Sequence, residues 1–192
     1  MKEKRVIISL AEKESVPVEF EKEKGKGKKA PDPPKKLDQT WLSVFEYFQK
    51  ESGLSPNRIF AAGKSMGGRI ASQLIAREQL SVNGLVLLGY PLHPPGRKDK
   101  IRDDHLYNIK IPMLFFAGTR DALCDLELLK RVLKRLKAPW KLEVIDGGDH
   151  SFKLLRSYNI TEQSIYERML AKTVHWVSEN FARPPLYPRK RQ

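Results

Sequence analysis

Apolar residues recur along this chain in short runs, separated by charged stretches and by glycine- or proline-bearing ones, and the spacing inside each run predicts its element. Val6, Ile7 and Ile8, followed by Val16, Val18 and Phe20, predict two short strands around a polar turn at 11–15. Residues 21–36 are rich in lysine and glycine and carry Pro31, Pro33 and Pro34, which predicts a loop or irregular crossover. From Leu37 to Lys50 the period changes to that of a helix, with Trp41, Val44, Phe45 and Phe48 on one broad face. Asp38 is a candidate cap for this helix, and Gly53 and Pro56 mark the turn after it.

Beyond that turn the pattern becomes repetitive in kind. RIFAAG (58–63), GLVLLGY (84–90), IPMLFFAG (111–118) and WKLEVI (140–145) each read as a short apolar strand. Between the first pair, KSMGGRIASQLIARE places Met66, Ile70, Leu74 and Ile75 at helical intervals, with Ser81–Asn83 as the expected end. DALCDLELLKRVLKRL (121–136) predicts a second such helix, and the run from Ile165 to Val177, with Met169 and Trp176, a third that covers the sheet. PLHPPGRKDKIRDDHL (91–106) is broken by prolines and reads as a loop. Strands alternating with amphipathic helices predict an α/β fold with a mostly parallel central sheet flanked by helices. The expected organisation is one domain over 1–180 and a basic, proline-containing tail over 181–192.

Composition narrows the class. With 192 residues, 40% apolar, 31% charged and one cysteine, Cys124, the chain fits a globular domain rather than a disulfide scaffold or a disordered chain. Cys124 reads as a small buried hydrophobe. The formal charge of +13 is spread over GKGKK (25–29), KRVLKRLK (130–137) and RKR (189–191). In the second of these, leucines at helical spacing make the basic residues the wet face of an amphipathic helix. No paired-cysteine, RNA-binding-strand or helix-turn-helix signal accompanies the charge, so a basic nucleic-acid-associated module is the weaker alternative. No run reaches the ~18 apolar residues of a membrane helix, which gives a cytoplasmic protein as the expectation.

The chemistry concentrates in Gly63-Lys64-Ser65-Met66-Gly67, a GxSxG string between a predicted strand and a predicted helix. At such a turn Ser65 would be an exposed nucleophile, Gly63 and Gly67 would relieve crowding at the elbow, and the amide of Met66 would face a developing oxyanion. Two later strand ends supply the remaining groups: GTRD brings Asp121, and GGDH brings His150. Histidine can take the serine proton and aspartate can orient the histidine, and their order along the chain is serine, aspartate, histidine. Asp125 and Asp149 are neighbouring carboxylates of the alternative kind. His93, His105 and His175 are too dispersed to define a metal site, and neither a metal nor an organic cofactor is expected.

GKSMGGR, GYPLHPPGRKDKIRDDHL, GTRD and GGDHSF together resemble the small α/β-hydrolase family that includes dienelactone-hydrolase-like proteins, testis-expressed protein 30 and the hydrolase-like domain of NSL histone acetyltransferase complex subunit 3. The resemblance covers most of residues 28–180. It implies Ser65 as nucleophile, Asp121 as the acidic member and His150 as the histidine of a triad acting on an ester-like acyl substrate. Members of that family usually carry an HGAG-like segment that supplies an oxyanion donor. Here VEF runs almost directly into EKEKGKGKKAPDPP, so an N-terminal core segment is expected to be lacking. Loss of one such donor costs about 3–4 kcal/mol of transition-state stabilisation. A hydrolase-like protein-interaction domain with impaired catalysis, or a homo-oligomer, is therefore the leading alternative.

Overall fold

The computed structural model describes residues 33–50 and 58–181, and the strands expected at 6–8 and 16–20, the turn at Gly53 and Pro56, and the tail from 182 lie outside them. Four strands, β1 (Phe60–Lys64), β2 (Gly84–Leu88), β3 (Met113–Gly118) and β4 (Trp140–Ile145), form one all-parallel sheet in the order β1-β2-β3-β4. Among the described residues four α-helices accompany them, α1 (Pro34–Lys50), α2 (Met66–Ala76), α3 (Leu126–Leu133) and α4 (Glu162–Phe181), with short 3-10 turns at Asp104–Asn108 and Arg156–Tyr158.

Strand residues in register point to the same side, and the alternation divides the core in two. Ala61, Leu85, Leu87, Met113, Phe115 and Ala117 face α1, α2 and α3, where they pack with Trp41, Phe45, Leu74 and Leu129. Phe60, Ala62, Val86, Leu114, Phe116 and Ile145 face α4, whose Ile165, Met169 and Trp176 close that side. A sheet covered on both faces needs apolar strands, which is why β2 and β3 are continuous apolar runs, while β4 at the edge of the sheet carries Lys141 and Glu143.

Element boundaries depart from the sequence pattern where side-chain chemistry decides them. Helix α1 begins at Pro34, inside the stretch expected to be loop, because the missing proline N–H is no loss at a first helical position. Asp38 does not cap it; it lies within the helix and accepts a bond from Arg77 Nη2 at 2.8 Å. Helix α2 ends at Ala76, short of Ser81–Asn83, because Gln79 N–H donates to Leu74 O and Glu78 N–H to Ile75 O, both at 2.9 Å. These two bonds form a Schellman cap with Glu78 at φ 57°, a position where glycine would normally announce the stop. Helix α3 starts only at Leu126, since the Asp125 carboxylate accepts from Leu128 N–H and caps it there. Helix α4 is longer than expected: Thr161 Oγ1 accepts from Ser164 N–H at its start, and Phe181 at its end packs edge-on against Phe60.

Candidate active site

Parallel strands deliver their carboxyl ends to one rim of the sheet, and the connections leaving that rim are where such folds assemble sites. Ser65 follows Lys64, the last residue of β1, and is the residue before α2. Its backbone sits at φ 52°, ψ −125°, a conformation that L-residues rarely adopt. The turn is tight enough that a Cβ on Gly63 would lie 2.4 Å from Gly68 Cα, and one on Gly68 would lie 2.5 Å from Gly63 O. Glycine at 63 and 68 therefore lets strand and helix approach closely. Gly67 has open space around it, so the close packing falls to Gly68 rather than to the second glycine of the motif. Met66 is the first residue of α2, and its N–H belongs to the first helical turn, whose amides have no carbonyl four residues back within the helix.

The loops after β3 and β4 are laced together. Thr119 N–H donates to Ile145 O, Arg120 N–H to Gly148 O, and Gly147 N–H to Thr119 Oγ1. A Cβ on Gly118 would lie 2.2 Å from Gly148 O, so the two loops touch backbone to backbone there. This lacing brings Asp121 and His150 together across 29 positions of sequence.

His150 Nδ1 lies 2.9 and 3.0 Å from the two oxygens of Asp121, and its Nε2 lies 2.8 Å from Ser65 Oγ. A carboxylate only accepts, so Nδ1 carries the ring proton and Nε2 accepts from the serine hydroxyl. The Asp121 side chain is fully buried and also accepts from Leu123 N–H at 2.8 Å, while the imidazole keeps 23% of its surface exposed. Gly89, just beyond β2 and at φ 65°, backs onto His150; a side chain there would meet its carbonyl oxygen.

The alternative carboxylates point elsewhere. Asp125 caps α3 and pairs with Lys98, which together hold its carboxyl below the usual range. Asp149 accepts from Ser151 N–H and Lys153 N–H and shapes the turn that presents His150. His93, His105 and His175 do not converge, and no cluster of metal-ligating side chains occurs among the described residues. His93 is buried, with Nε2 accepting from Asp125 N–H, so it supports the acid-bearing loop from behind. Local pattern gives His93 no such role; the GYPLH segment that carries it is legible only through the resemblance.

Among the described residues no helix is long and apolar enough to cross a membrane. Several lysines sit in ion pairs, Lys110 with Glu78, Lys130 with Glu127 and Lys141 with Glu179 among them.

Three solved structures show the same fold at low identity. An α/β serine hydrolase homologue from Coxiella burnetii is 19% identical with a TM-score of 0.51, over 67% of this chain and 57% of that one. A dienelactone hydrolase from Anabaena variabilis is 17% identical with a TM-score of 0.55, over 76% and 60%. A Butyrivibrio proteoclasticus protein with ferulic acid bound is 20% identical with a TM-score of 0.52, over 73% and 69%. The chain thus spans less than two thirds of the first two. The model of the α/β hydrolase domain matches residues 13–178, and the chain belongs to that family.

Proposed function

We propose that this chain is a serine hydrolase of small ester-like acyl substrates, with Ser65 as nucleophile, His150 as base and then acid, and Asp121 as the group that orients His150. The observation that carries the reading is the unbroken relay from Ser65 Oγ through His150 to the buried Asp121 carboxylate. On attack, Ser65 Oγ bonds to the acyl carbon and its proton passes to His150 Nε2. The carbonyl oxygen gains the charge, which the Met66 N–H and the positive end of α2 stabilise. Collapse expels the alcohol, which takes the proton from His150 Nε2. Water then attacks the acyl-serine as His150 Nε2 accepts its proton, and collapse releases the carboxylic acid while His150 returns that proton to Ser65 Oγ.

The family membership and the dienelactone hydrolase among the structural neighbours support this substrate class. GKSMGGR, GYPLH and GTRD further support a position beside testis-expressed protein 30 and the hydrolase-like domain of NSL complex subunit 3. Turnover of a panel of p-nitrophenyl esters by the wild type, Ser65→Ala and His150→Ala tests the reading. Hydrolysis above the blank by the wild type and at blank rate by both variants is expected. Equal rates for all three proteins would contradict it.

A further inference from the structure

Away from the relay, a half-buried histidine joins two elements through a geometry that requires a proton on one particular ring nitrogen. Ser72 Oγ, fully buried on α2, donates to Arg69 O at 2.7 Å, and Tyr90 Oη donates to Arg102 O. Both acceptors are carbonyls, so both hydroxyl protons are committed. His105 Nε2 lies 2.8 Å from Ser72 Oγ and 3.3 Å from Tyr90 Oη. It can only be the donor to each, which makes His105 the Nε2–H tautomer. Burial pushes its pKa down to about 4, with Arg69 and Arg77 adding to the shift and Asp103 and Asp104 opposing it, so the ring is neutral near pH 7.

The two hydroxyls belong to segments that lead to the two reacting groups. Ser72 is about two helical turns along α2 from Ser65. Tyr90 directly follows Gly89, which packs against His150. We propose that His105 is a positioning residue: its Nε2–H clamps the helix that follows Ser65 to the segment that backs His150, and so holds the distance between them. This rests on Ser65 and His150 acting as proposed above.

The test has one arm that needs no catalysis and one that reads the nucleophile. Long-range ¹H–¹⁵N spectra of the ¹⁵N-histidine-labelled chain should show His105 protonated at Nε2. In His105→Leu the His150 ring resonances should shift, and the rate of Ser65 modification by a fluorophosphonate should fall about tenfold. His105→Gln, whose side-chain amide offers a donor at the same reach, should stay within about threefold of the wild type. A clamp that serves only stability would lower the melting temperature of His105→Leu and leave the labelling rate of the folded protein unchanged. An Nδ1–H tautomer in the wild type, or a folded His105→Leu with unmoved His150 signals and wild-type labelling, would overturn the proposal. Should the wild type itself resist labelling, the hydrolase reading fails, and the His150 shifts in His105→Leu still decide the clamp. If His105→Leu does not fold, the tautomer and His105→Gln decide.

Discussion

The Asp121 side chain is withdrawn from water, and among the described residues its carboxylate is hydrogen-bonded by His150 Nδ1–H and Leu123 N–H. Replacing it by asparagine keeps the shape, but the amide can offer its N–H to Nδ1, which then favours the tautomer with the proton on Nε2. That nitrogen could no longer accept from Ser65. Asp121→Asn should therefore fold normally and lose about 10⁴-fold in ester turnover, which steady-state kinetics with circular dichroism as a folding control would show. Cys124 gives a second prediction at this scale. Burial and the neighbouring Asp121 push its thiol up to about 12, so almost no thiolate exists at pH 8. Iodoacetamide at that pH should leave the native chain unmodified and alkylate Cys124 once denaturant is added. Rapid native alkylation, read by intact mass, would refute the packing described for it.

At the scale of elements, the four strands from 60 to 145 and the order of the strand-end residues are legible in the chain. WKLEVI is strand from its first residue to its last, and Asp121 and His150 fall just past their strands. What could not be read were ends fixed by bonds between distant positions. The Schellman cap at Glu78 has no glycine to mark it, and the start of α3 is set by one carboxylate, Asp125, that period counting placed inside the helix. The relay was legible as residue types and order, but its geometry depends on lacing between Thr119, Gly147 and Gly148 that no local pattern encodes. The His105 clamp was invisible because its partners lie 33 and 15 positions away. Asp125→Ala should cost about 1 kcal/mol at pH 7, the usual value of a lost cap. Because the folded carboxyl titrates below its ordinary value, the stabilisation is present above the unfolded pKa and disappears as pH falls through the lower, folded one. Urea titrations of both proteins at pH 7 and in acid should therefore converge at the acid end, whereas a constant difference would assign the effect to something other than this charge.

At the scale of the molecule, the described residues form a sheet held between two unequal covers. One face meets α1, α2 and α3, while the other is closed by α4 with help from Phe152. Trp176 is the largest side chain in that second layer, 2% exposed and stacked edge-on with Phe60 and Phe181. Trp176→Ala should cost about 3–5 kcal/mol and lower the melting temperature sharply. A loss under 1 kcal/mol would mean that α4 contributes little to holding the sheet. The relay sits at the rim where β1, β3 and β4 end, between the two layers. The account as a whole stands on that relay being reactive. Peptide mapping by mass spectrometry after exposure to a fluorophosphonate reads it most directly. A single adduct on Ser65, absent in His150→Ala, is the predicted result; a folded wild-type chain with Ser65 unmodified, or modified equally without His150, would contradict it.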